Sequence, residues 1–233
     1  MRDAHDATVM AQSIQPRDAK VTLRMYTLFY SPGSASMAIH QALLEIGAPH
    51  ELRRVDFSSG AQRDPAYLAL NPQGVVPTLV IEQRAMVESA AILMMLADRH
   101  PEAKLAPNIG TPERDAWYQW MVFLSNSLAA TYRLWFYPAD LGMAEHTPEV
   151  RAALQRKIES VWDRLDAHLA SNGPYLLGAD VSAADLLLIM LMRWSRNMPR
   201  SAVEWPALQQ FADLMRSRPS WQELYRREGL SGW

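Results

Sequence analysis

The run Asn71-Pro72-Gln73-Gly74-Val75-Val76-Pro77-Thr78-Leu79-Val80-Ile81, followed after a short turn by Val87-Glu88-Ser89, decides how the rest of the chain is read. Asn-Pro and Gln-Gly are turn dipeptides, residues 78–81 read as a buried strand, and Gln83-Arg84 reads as a two-residue connection to a second short strand. The cis form of an X-Pro bond lies only about 0.5–1 kcal/mol above trans. A cis Val76-Pro77 bond would turn the Val76 N–H and C=O outward, where an extended peptide could pair with them as an added strand. Glu88-Ser89 then opens a helix in which Ile92, Leu93, Met95 and Leu96 recur at helical spacing. A carboxylate, a hydroxyl and free N–H groups at a helix N-terminus can hold a ligand's ammonium and carboxylate together; an ordinary capped helix accounts for the same pair.

Working outward, residues 24–30 (R-M-Y-T-L-F-Y) are aromatic and β-branched and suit a buried strand. Ser31-Pro32-Gly33 breaks it, a helix begins around Ser34-Ala35-Ser36, and Gly47 ends that helix before a second strand at 51–55. Strand, helix and strand within about 30 residues form a βαβ unit with parallel strands. A short helix near 65–70 leads into the hairpin and the helix 89–99. Residues 1–22 show no sustained period and read as a flexible extension. The proline-rich stretch 102–112 reads as a linker between an α/β domain at 23–101 and a helical domain at 113–233.

In the second half, helices are expected at 113–136, 148–170, 182–196, 205–217 and 221–228, with no strands, as in an all-α bundle. In Gly178-Ala179-Asp180-Val181-Ser182-Ala183-Ala184-Asp185, Ser182 and Asp185 have capping-box spacing, so the Asp185 carboxylate can reach back to the Ser182 N–H. Asp163 and Asp166 lie at i and i+3 and read as a solvated face, as do the C-terminal arginines interleaved with Glu223 and Glu228.

The chain has 233 residues, 49% of them hydrophobic, with a formal net charge of −2 and no cysteine. That charge argues against a phosphate-backbone binder, and so against a nucleic-acid partner. No apolar run approaches the length of a membrane span, and no signal-peptide core is present, so a soluble, cytoplasmic protein is expected. Without cysteine there is no disulfide and no thiol nucleophile of the chain's own; the six histidines are scattered without metal-ligand spacing, and no metal is expected.

Together, N-P-Q-G-V-V-P-T-L followed by E-S closely resembles the glutathione-binding half of the cytosolic glutathione transferase family, and the likeness extends from about Arg24 onward. It implies a thioredoxin-like domain followed by an all-helical domain, usually as a homodimer, and a role in detoxification. It also implies that glutathione is the co-substrate, with backbone groups of Val76 beside Pro77 on its cysteinyl part and Glu88 and Ser89 on its γ-glutamyl end. The G-x-D-x-S-x-A-D run resembles the helix-start motif of the same family. A polar residue often stands at Val75 in relatives; Gln73 or Arg63 could take over its contact.

Glutathione's thiol has an ordinary pKa of about 8.5, and lowering it by two units takes about 2.7 kcal/mol of preference for the anion. A hydroxyl at the mouth of the first helix, aided by the helix's positive end, can supply this. Ser36 is the first candidate and Ser34 the second, with Tyr30 third; a helix N-cap is the plain role for either serine. The segment Y-S-P-G-S-A-S resembles Y-S-P-G-A-C-S of the bacterial beta class, but Ala35 stands at that class's cysteine. Its helix histidine also lacks a counterpart in 123–131, so a serine site like that of the theta class is expected. The run Thr131-Tyr132-Arg133-Leu134-Trp135-Phe136-Tyr137-Pro138 is the expected second-substrate wall, suited to a small apolar electrophile with a negative group. Tyr132, Arg133 and Tyr137 lean to that role, whereas Trp135 and Phe136 fit core packing equally well. The expected reaction is conjugation of glutathione to an electrophile; glutathione-dependent isomerisation or reduction, and ligand binding without turnover, are the alternatives.

Overall fold

A computed structural model of the protein describes residues 25–233; the extension expected at 1–22 lies outside them. The chain opens with β1 (Tyr26–Tyr30), α1 (Met37–Ile46) and β2 (His50–Arg54). β1 and β2 pair in parallel, as a βαβ connection requires. After the short α2 (Pro65–Leu68), β3 (Thr78–Ile81) pairs antiparallel with β1 and with β4 (Arg84–Met86), giving the sheet order β2-β1-β3-β4. Arg84 belongs to β4, not to the turn. The connection is Glu82-Gln83, with φ of +49° and +66°, the handedness that matches the twist of the two strands. α3 (Ser89–Arg99) completes this α/β part.

The rest is helical. α4 (Pro112–Phe123) and α5 (Ala130–Phe136) are the two ends of what the sequence reads as one helix; between them residues 124–129 are wound as a π-helix, a local widening common near functional sites. α6 (Pro148–Asn172), α7 (Ala183–Trp194), α8 (Pro206–Arg216) and α9 (Pro219–Glu228) follow. α7 is buried from Ala183 to Arg193 because it is apolar all round, and it packs against α1, α3 and α4.

Two readings of surface charge need correction. Asp163 accepts the Trp205 indole N–H at 2.7 Å, and Asp166 accepts the Ala207 and Leu208 N–H groups at 2.7 and 3.2 Å. Asp166 therefore caps α8, since the first amides of a helix need acceptors that the helix cannot supply, and both carboxylates dock α8 on α6. Glu228 is also no solvated residue. It is fully buried, pairs with His40 Nδ1 at 2.8 Å and accepts the Gly33 N–H at 2.9 Å, tying α9 to α1 and to the loop before it.

A second tie between the two parts joins Glu45 of α1 to Arg218 through two hydrogen bonds of 2.7 and 2.8 Å, with the Ser220 hydroxyl donating at 2.5 Å. Burial pushes the Glu45 carboxyl up, but the bonds from Arg218 and Ser220 outweigh it and hold the group below its ordinary value. The folded value being the lower one, this stability is complete above the unfolded pKa of about 4.3 and is lost as pH falls through the folded value. The urea midpoint is expected to drop more steeply between pH 5 and 3 (roughly that carboxylate range) in the wild type than in Glu45→Gln. Parallel slopes would refute the linkage.

Candidate functional site

The site is built where the positive ends of α1 and α3 face the helical part across a cleft of about 1060 Å³. One wall comes from the α/β part. Val76 sits there beside the cis Val76-Pro77 bond, and its N–H and C=O pair with nothing among the described residues. The loop is held from behind: Tyr67 and Asn71 both donate to the Val75 carbonyl, at 2.5 and 2.8 Å, and Asn71 also reaches the Thr78 hydroxyl at 3.1 Å. An unpaired donor and acceptor on a rigid loop are what an extended peptide needs.

Gly74 makes this loop possible. Its φ is +63°, and a Cβ there would stand 2.8 Å from the Gln62 carbonyl oxygen and 3.0 Å from Arg63 Nη1. Gly74→Ala is expected to cost about 1–3 kcal/mol and to weaken the binding of any extended peptide laid on this loop, read as a raised KM for it, by shifting Gln73 and Val76. An unchanged urea midpoint together with an unchanged KM would show that the loop tolerates a side chain there.

Glu88 and Ser89 lie on the same wall. Glu88 has φ +70° and ψ 110°, a conformation costly for a side chain with a Cβ, and its carboxylate accepts no hydrogen bond from the described residues. A strained residue presenting a free carboxylate at the head of α3 could accept a cationic group. The Ser89 hydroxyl donates to the Ala35 carbonyl at 3.2 Å, which joins the heads of α3 and α1. Gln73 lines the cleft, as do Pro77 and Val75; Arg63 does not.

The two serines before α1 divide their work in a way the sequence does not reveal. Ser34 lines the cleft, whereas Ser36 is fully buried and off its wall. The Ser34 hydroxyl donates to the Ser31 carbonyl at 2.7 Å and lies 2.9 Å from the Ser36 hydroxyl. The Ser36 hydroxyl also lies 3.2 Å from the Ser31 carbonyl, so with the Ser34 hydrogen on Ser31 the one Ser36 hydrogen is shared between that carbonyl and the Ser34 oxygen. Ser36 also accepts the Ser31 N–H at 3.3 Å, and it makes no side-chain cap to α1. Tyr30 does not line the cleft.

The opposite wall comes from α5, the start of α6, and α7 with the segment that follows it. Tyr132, Arg133, Trp135, Phe136 and Tyr137 all line it. Tyr132 and Trp135 are buried at its base, and Tyr132 stacks on Phe136 at 5.7 Å, so packing and cleft lining are combined in the same rings. Burial pushes the Tyr132 phenol far up, and it stays neutral. Arg133 reaches Asp140 at 2.5 Å and lies 4.2 Å above the Tyr137 ring.

Sequence reasoning missed Arg151, Met190, Trp194, Arg196, Asn197 and Met198 on this wall. The abrupt change from the apolar run of α7 to Trp194-Ser195-Arg196-Asn197 was a usable signal for four of them. Nothing local marks Arg151.

Residues 28–104 match the family model described as glutathione S-transferase, N-terminal domain, and residues 148–227 match that of the C-terminal domain. Glutathione S-transferase GST-4.5 of Xanthomonas campestris is 31% identical over 208 residues, covering 88% of this chain and 99% of the relative. Glutathione S-transferase GstA of Escherichia coli O157:H7 is 29% identical over 206 residues, with 87% and 98% covered. Among solved structures, a glutathione transferase homolog from Sulfitobacter with bound glutathione superposes with a TM-score of 0.80 at 27% identity, covering 88% of this chain and 99% of that one.

Proposed function

Because this chain belongs to the glutathione S-transferase family and is a transferase enzyme, we propose that it ionises glutathione with the Ser34 hydroxyl and conjugates it to an apolar electrophile. The observation that carries this reading is the position of Ser34, on the cleft wall with the Ser36 hydroxyl behind it. Glutathione would lie along the α/β wall, its cysteinyl backbone on Val76 and its γ-glutamyl ammonium on Glu88. Ser89 and the first amides of α3 would receive the γ-glutamyl carboxylate, with Gln73 alongside.

That pose carries the thiol toward the head of α1. Ser34 turns its hydrogen from the Ser31 carbonyl to the sulfur, and Ser36 donates to the Ser34 oxygen, which makes Ser34 a stronger donor. The helix's positive end adds to the preference for the anion. The thiol proton leaves to solvent, and the thiolate attacks an electrophile held by the aromatic wall. The family likeness extends the proposal to a cytoplasmic homodimer.

The test is a thiol titration of bound glutathione by thiolate absorbance. A pKa well below the free value of about 8.5 is expected. An unshifted value would remove the mechanism and favour a ligand-binding role.

A further inference from the structure

The helical wall of the cleft carries Arg133, Arg151 and Arg196, and among the described residues lining the cleft the only carboxylate is Glu88, on the α/β wall. Arg133 is already neutralised by Asp140. The other two are not. Arg151 lies 4.2 Å above the Trp135 ring, and Arg196 donates to the Arg193 carbonyl at 3.0 Å; neither pairs with a carboxylate of the described residues.

Behind Arg196 stands a second guanidinium, that of Arg193. It is buried, bonded to the Tyr225 hydroxyl at 2.7 Å, with its Nη1 lacking any partner among the described residues. Burial and the Arg193 charge both depress the Arg196 pKa. Cations set beside each other and beside Trp194, Phe136 and Met198 leave a positive potential over an apolar floor. No carboxylate of the described residues pairs with Arg151 or Arg196 to neutralise it. An anion arriving with its own apolar surface would.

We propose that the electrophile this enzyme selects carries a carboxylate, held by Arg196 and Arg151, while its apolar body lies on the aromatic floor between them and the glutathione sulfur. This rests on the transferase reading above and names the class of its second substrate. The two arginines are specificity-determining; Arg133, with Asp140 beside it, contributes less. Glutathione's γ-glutamyl carboxylate is taken up by Ser89 and the head of α3 on the opposite wall, and its glycyl carboxylate is the competing claimant for the two arginines, which the glutathione KM tests.

A chloronitrobenzoate and its primary amide form a suitable pair of probes, nearly equal in shape and differing in charge. In each, the thiolate sulfur bonds to the ring carbon, the carbon–chlorine bond breaks and chloride leaves with its electron pair, the thiol proton having gone to solvent. The full-length protein is assayed with both, and each kcat/KM is divided by the uncatalysed rate constant. The acid is expected to be favoured by roughly tenfold, a preference that shrinks as ionic strength rises. The ratio is expected to fall about fivefold in Arg196→Met and in Arg151→Met, and to be largely retained in Arg196→Lys.

A wild-type ratio of one or below, or a ratio that neither Met substitution changes, overturns the proposal. So does a rise in the glutathione KM alone, which would assign the arginines to the peptide. The chemically made glutathione thioethers of both probes supply a readout independent of turnover. If neither probe is converted, the thiol titration judges the transferase mechanism by itself, and calorimetry still decides the inference. Tighter binding of the acid thioether, lost in Arg196→Met, supports it; equal affinities reject it.

Discussion

Ser34→Ala is expected to lower kcat/KM by roughly 30–100-fold at about pH 6.5 and by only a few fold above about pH 9, where the thiol ionises unaided. The pH dependence follows from the sign of the shift. A hydroxyl that donates only to the thiolate lowers the thiol pKa, so its removal moves the rising limb of the pH–rate profile upward by about 1–2 units. A loss independent of pH would instead mean that Ser34 positions the peptide without ionising it. Ser36→Ala is expected to cost only roughly 3–10-fold, since it weakens the donor to Ser34 and leaves the hydrogen on sulfur in place. A larger effect at Ser36 than at Ser34 would overturn the assignment. The Ser31 carbonyl anchors both hydroxyls, at 2.7 and 3.2 Å, so each variant is to be checked for an unchanged melting temperature before its rates are interpreted.

The second large effect is on stability. Asp185 at the head of α7 is fully buried and accepts three hydrogen bonds, from the Ser182 N–H at 2.8 Å, the Ser182 hydroxyl at 2.9 Å and the Leu176 N–H at 2.9 Å. Asp185→Ala strands two buried N–H groups at about 1–3 kcal/mol each while relieving the cost of a buried charge. A net loss of about 2–4 kcal/mol is expected at neutral pH, read as a lower urea midpoint with an unchanged slope. A midpoint within error of wild type would mean that the neighbouring backbone relaxes onto other acceptors.

The same residue sets a pH dependence opposite to that of Glu45. Burial pushes the Asp185 carboxyl up to about 6, against the pull of its three donors. Its unfolded value is near 3.9, so between about pH 4 and 6 the folded chain holds a proton that the unfolded chain has lost. Its contribution is most favourable at acid pH and declines by about 2–3 kcal/mol as pH rises through 6. The stability of wild type minus that of Asp185→Asn is therefore expected to fall between pH 4 and 6 (the window set by those two pKa values). A flat or rising difference would contradict the shift.

Much of the fold was legible because it is written in local patterns. Aromatic and β-branched residues locate β1, a short apolar run locates β3, and apolar residues at helical spacing locate α3. Start and stop residues such as Gly47, Gln73-Gly74 and Ser182 mark the bounds of α1, the loop before β3 and α7. The hairpin connection was displaced by one residue because Arg84 carries no signal separating a turn from a three-residue strand. The π-helical turn between α4 and α5 was invisible, since its residues keep helical composition and only packing against the neighbouring helices decides their winding.

By itself the sequence determined the two-part architecture, the cleft-lining loop around Val76 and Pro77, and the Glu88-Ser89 pair, because each depends on residues close together in the chain. Tertiary structure alone decided which serine meets the cleft, since Ser34 and Ser36 differ by the direction of one loop turn and not by composition. It alone brought Glu228 to Gly33 and His40, placed Asp163 and Asp166 under α8, and set Arg151 and Arg196 on one wall. Those partners lie far apart in sequence. No local pattern encodes such a pairing; it exists only once the apolar faces of α1, α6, α7 and α9 have packed and fixed what stands beside what.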